Sequence, residues 1–69
     1  MNAMELSREE AVDKLFIEAK RLFGRLVAEV ENIDETHPTH EQVDAARRAS
    51  AKVSTQLALL QMELQAEEG

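Results

Sequence analysis

The chain has 69 residues, 14 Asp and Glu against eight Lys and Arg for a formal charge of −6, and no cysteine. So short a chain is one domain at most, and without disulfides or thiolate metal sites it depends on very regular helix packing or on a partner chain. The acidic balance disfavours nucleic acid and anionic lipid, and charges interrupt every apolar stretch short of the roughly 20 residues of a membrane span, so a cytoplasmic protein with protein partners and no membrane contact is expected.

Met1-Asn2-Ala3, ahead of a second methionine at Met4, reads equally as an expression-vector leftover or as native sequence, and residues 1–6 are expected to be disordered. Leu6 precedes Ser7-Arg8-Glu9-Glu10, an S-x-x-E capping box that predicts a first helix over about residues 8–35. Within it Val12, Leu15, Phe16, Ala19, Leu22, Phe23, Leu26, Val27, Val30 and Ile33 recur at three- and four-residue steps over an arc of roughly 140°. A stripe restricted to one seam serves one neighbour. With Phe16, Phe23 and Val30 at its edge, this one is wide enough for two. The opposite face carries Asp13, Lys14, Glu18, Lys20, Arg21, Arg25 and Glu31, with Glu10–Lys14 and Arg25–Glu29 spaced as i, i+4 pairs. Ile17 and Gly24 depart from that polar pattern and, with Ala28, outline a small second contact surface; the plainer reading is an exposed isoleucine and a tolerated glycine.

Pro38 removes an amide hydrogen and pushes His37 out of the helical region, which predicts a break at residues 36–39. Thr39-His40-Glu41-Gln42 repeats the capping logic as T-x-x-Q, so a second helix is expected over about residues 40–66, with a frayed tail at 67–69. Its apolar seam is Val43, Ala46, Ser50, Val53, Leu57, Leu60 and Leu64. With a turn centred near Pro38, paired positions sum to about 75, placing Leu15 opposite Leu60 and Leu22 opposite Val53. Sustained seven-residue spacing predicts left-handed supercoiling.

The predicted fold is all-α: an antiparallel hairpin over residues 7–66 that pairs with a second copy as a left-handed four-helix bundle. The expected core and dimer interface is Val12, Leu15, Phe16, Ala19, Leu22, Phe23, Leu26, Val30, Ile33, Val43, Ala46, Val53, Leu57, Leu60 and Leu64. Higher oligomers, or another protein in place of the second hairpin, fit the same pattern.

No catalytic constellation and no cofactor motif stands out. His37 and His40, three apart beside Asp34, Glu35 and Glu41, are the weak candidates for a metal, with cap and loop duty as the plainer explanation. Glu29 is expected beside Arg47, with Arg25 one turn away, as an ion pair flanking the core. Lys20, Arg21, Arg25, Arg47, Arg48 and Lys52, six of the eight bases, fall in mid-helix and predict a positive belt between acidic ends. In layout the chain resembles the helical-hairpin dimers of plasmid copy-number control, a resemblance that implies contact of the belt with structured RNA. The acidic charge, the lack of exposed stacking aromatics and Asp44 at i−3 and i−4 from Arg47 and Arg48 weigh against that. A non-enzymatic interaction protein is the leading expectation, an RNA-binding dimer the alternative.

Overall fold

The computed structural model describes the backbone of residues 3–68 and the side chains of residues 9–66. Two helices of 29 residues, α1 (Ala3–Glu31) and α2 (His40–Glu68), fold back on each other as an antiparallel hairpin 56 × 18 × 12 Å in extent. The molecule is all-α and a single layer of helices deep.

Both ends of α1 differ from the capping pattern. The helix starts at Ala3, upstream of Ser7, because Ala3, Met4, Glu5 and Leu6 are all strong helix formers and carry it past that serine. The Ser7 side chain lies outside the described residues. At the other end α1 stops at Glu31, ahead of Asp34. The Asn32 amide still reaches Ala28 O at 3.0 Å, but the next, from Ile33, tightens onto Val30 O at 3.1 Å. Asp34 then diverts the chain, its Oδ1 accepting from the Thr36 amide at 3.0 Å and the Thr36 hydroxyl at 2.7 Å. An aspartate offering the backbone such a local turn competes with helix. Asp34 therefore ends α1 before Pro38 can. At the far end α2 includes Glu67 and Glu68, where the strong helix formers Gln65, Ala66 and Glu67 outweigh an unfavourable dipole of a few tenths of a kcal/mol; Gly69 lies outside the described residues.

The expected Thr39–Gln42 box is present. The Gln42 amide donates to Thr39 Oγ1 at 3.1 Å, and the Thr39 amide donates to Gln42 Oε1 at 3.2 Å. Gln42 does more than cap: Oε1 also accepts from the Asp34 amide at 3.3 Å, and Nε2 donates to Asn32 O at 3.3 Å. One side chain thus ties the end of α1 to the start of α2.

These boundaries set the register. The last residue of α1 and the first of α2, 31 and 40, sum to 71, and so do Leu15 and Gln56, whose Nε2 donates to Leu15 O at 3.2 Å. The expected sum of 75 assumed a turn centred on Pro38, and the eight-residue connection 32–39 moves that centre toward α1. Leu15 is accordingly met by Gln56 rather than Leu60.

The inner face of α2 is also rotated from the expected seam. Gln42, Ala46, Ala49, Val53, Gln56, Leu60 and Glu63 form one buried or half-buried stripe, with Asp44 and Ala45 half-buried beside it, while Val43, Ser50, Leu57 and Leu64 are exposed. The two sets share Ala46, Val53 and Leu60, and their centres differ by ~50°, half the ~100° step between successive residues. On α1, Val12, Leu15, Leu22 and Leu26 are half-buried, as is Ile33 in the connection, whereas Phe16, Phe23 and Val30 are exposed. The only buried side chains among those described are alanines: Ala19, Ala46 and Ala49, at 6%, 8% and 9% exposure.

Gln42→Ala removes the bridge across the turn and is expected to cost about 1–2 kcal/mol, read as a lower urea midpoint at unchanged slope. The Thr36 hydroxyl and amide hold the Asp34 carboxyl below its ordinary value of 3.8. A depressed folded-state pKa contributes stability that is full above the unfolded value and lost as pH falls through the folded one. The thermal advantage of the wild type over Asp34→Ala should thus be constant from neutral pH down to about pH 5 and shrink below about pH 4; an advantage that grows on acidification contradicts this assignment.

Candidate interaction surfaces

Close packing of alanines divides the hairpin into two unlike faces. On one side Phe16, Phe23 and Val30 of α1 repeat at seven-residue spacing, as do Val43, Ser50, Leu57 and Leu64 of α2. Residues seven apart lie within ~20° of one another on a helix, so each set forms a longitudinal stripe. Phe16, Phe23 and Leu57 share a hollow of about 240 Å³ with Ala19, Lys20 and Val53, which places the two stripes on the same side. The large side chains of this face are 40–57% exposed, Phe23 the most and Val27 the least. Lys20 leans over its edge, with Nζ 4.7 Å from the Phe16 ring centroid. That cation–π contact takes Lys20 out of the expected belt.

The other side is charged. Glu18, Arg21, Leu22 and Gln56 border one open hollow with Lys52, and Leu22, Arg25, Glu29, Ala45, Arg48, Ala49 and Lys52 line the next. Four of the six belt residues, Arg21, Arg25, Arg48 and Lys52, therefore share this face. Arg21 grips Glu18, Nε donating to Oε2 at 3.0 Å and Nη2 to Oε1. Hydrogen bonding to that guanidinium lowers the Glu18 pKa and raises that of Arg21. Asp44 accepts from Arg47 Nη2 at 3.0 Å and pairs with Arg48 Nε at 2.9 Å. Its carboxyl is held low chiefly by the Arg47 hydrogen bond, against slight desolvation and with help from the Arg48 charge.

Arg47 is thus taken by Asp44, and the expected Glu29–Arg47 pair does not form. In the shortened register Glu29 lies instead in the hollow with Arg25 and Arg48. Among the described residues the ion pairs are those of Glu18 and Asp44; Glu10–Lys14 and Arg25–Glu29 are not closed. Such exposed pairs add little stability.

The remaining candidates are dispersed. His37 and His40 are both exposed in and after the connection, His37 Nδ1 meets Thr36 Oγ1 at 3.1 Å, and among the described residues no three His, Asp or Glu side chains converge as for a metal ion. Ile17, 63% exposed, and Gly24 lie on the outer side of α1, away from α2. Sequence reasoning missed Ala45, Ala49 and Gln56 as inter-helix residues. The signal was there in the seven-residue spacing of Gln42, Ala49 and Gln56, but a glutamine that satisfies a backbone carbonyl scores as polar in a hydrophobicity pattern.

No protein-family model, characterised protein or solved structure matches the chain. No helix is long and apolar enough to cross a membrane among the described residues.

A Cβ at position 24 meets nothing within 4 Å. Gly24→Ala should therefore stabilise the protein by up to ~1 kcal/mol through backbone entropy and helix propensity. A loss of thermal stability or of self-association in that variant would mean that a second chain packs against this spot.

Proposed function

We propose that the protein is a small non-enzymatic interaction protein, a regulator or adaptor of the cytoplasm, that works as a homodimer. In this reading the apolar faces of two hairpins pack together as a left-handed four-helix bundle. The observation that carries it is the mismatch between what the hairpin hides and what it exposes: three alanines are buried, while Phe16, Phe23, Val30, Val43, Leu57 and Leu64 stand at 43–57% exposure on one side. Burial of a large apolar side chain is worth about 1.5–3 kcal/mol, so a second apolar face supplies what a two-helix layer lacks. Contiguous exposed apolar surface of this kind marks an association site. A second copy is the natural occupant, because seven-residue stripes on both helices suit the shallow packing of a bundle and a two-fold axis matches the patch with itself.

Sedimentation equilibrium at low micromolar concentration should give twice the 7.8 kDa chain mass. Phe23→Glu and Leu57→Glu each place a charge in the proposed interface and should weaken association by at least about tenfold, with loss of helical signal as the dimer dissociates. A wild-type monomer that melts cooperatively at that concentration rules this reading out.

A further inference from the structure

We propose that the groove on the charged face is a docking site for one acidic amphipathic α-helix of a partner protein. The groove is complete within one hairpin and lies on the side away from the apolar stripes, so it stays open in the dimer proposed above.

Its floor is Leu22, Ala45 and Ala49, and its rim carries Arg25, Arg48 and Lys52. Alanines between two helices let a third backbone approach closely. A helix with small and apolar residues at three- and four-residue steps fits such a trough. The rim sets its charge. Arg21, Arg25, Arg48 and Lys52 against Glu18, Glu29 and the Asp44 that pairs with Arg48 give this face +1 in a chain of −6, so the remainder carries −7. Among the described residues neither Arg25 nor Lys52 has an acidic partner within ion-pair distance, while Arg21, Arg47 and Arg48 do. A positive trough on an otherwise acidic protein selects an occupant with carboxylates along its flanks and repels it elsewhere. A peptide helix suits the site better than nucleic acid: an apolar floor offers phosphates nothing, and the aromatic rings lie on the other face.

The test uses the intact protein and fluorescence anisotropy with three labelled probes: a helical peptide of about 18 residues with Ala and Leu on one stripe and Glu flanking it, the same peptide with Gln for Glu, and an RNA hairpin. The Glu peptide should bind saturably and about tenfold or more tighter than the Gln peptide, weakening as salt rises. Arg25→Glu and Lys52→Glu, both exposed, should each lower its affinity by about tenfold without changing the sedimentation coefficient. Equal affinity for the two peptides, tighter binding of the RNA, or no saturable binding below about 100 µM overturns the proposal. Sedimentation of the same samples reports the dimer separately, so failure of the groove and failure of the dimer are distinct results.

Discussion

Among the described residues Ala19, Ala46 and Ala49 are the side chains that contact between α1 and α2 hides most completely, and the rest of the architecture follows from their size. Small residues at the seam let two helices approach closely, but they leave no room between them for Phe16, Phe23 or Leu57. Those large side chains are displaced to one flank. Arg21, Arg25, Arg48 and Lys52 line the other. A seam of leucines would have given a thicker hairpin with its apolar surface used up internally. Here the hydrophobic driving force is largely held over to whatever covers the outer face.

Orientation of the two faces depends on the turn. Asp34 halts α1 and Gln42 fastens its end to α2, and together they fix where the helices begin to run side by side. A helix end moved by one residue rotates its contact face by about 100°. The Gln42 and Gln56 amides are therefore more than incidental polar contacts at a seam. Each binds a main-chain carbonyl of the first arm, at Asn32 just past α1 and at Leu15 within it, and pins the hairpin at its turn and near its middle. Hydrogen bonds to backbone have directional demands that apolar contacts lack. They hold the rotation in which the alanines face in and the large residues face out.

Helix number, helix type and the antiparallel return were legible in the sequence, because three- and four-residue periodicity and the Thr39–Gln42 box are local signals. The width of the α1 stripe also pointed correctly to residues beyond a single seam: Phe16, Phe23 and Val30 do sit outside the hairpin contact. Rotation of α2 and register were not legible. Ranking positions by hydrophobicity sends Val43, Leu57 and Leu64 inward, and only geometry shows that Gln56 can face in by bonding a carbonyl. The turn centre was misplaced for a related reason. Pro38 is the strongest helix breaker by composition, yet Asp34 acts first, through a side-chain hydrogen bond whose partner, Thr36, carries no breaker signal of its own. The Glu29–Arg47 pairing failed with the register that generated it.

The two faces constrain each other. Were the charged face the one used for self-association, like charges would meet across a two-fold axis: Arg25, Arg48 and Lys52 of one copy would confront the same residues of the next, unless each were offset onto Glu18 or Glu29. The apolar face has no such conflict, since a hydrophobic patch is complementary to itself under the same symmetry. In the proposed dimer, self-association through the apolar stripes would leave a charged groove on each outer side, and a two-fold axis would make those grooves equivalent. A partner helix bound at one has an identical site opposite it, so a partner carrying two acidic helices, or two such partners held together, gains from simultaneous engagement. Salt dependence separates the two contacts physically. Burial of phenylalanine, valine and leucine is little affected by moderate ionic strength, whereas attraction between exposed charges is screened beyond a Debye length of ≈ 8 Å at physiological salt. If both proposed contacts form, raising salt should release the partner helix from the grooves while the bundle stays assembled.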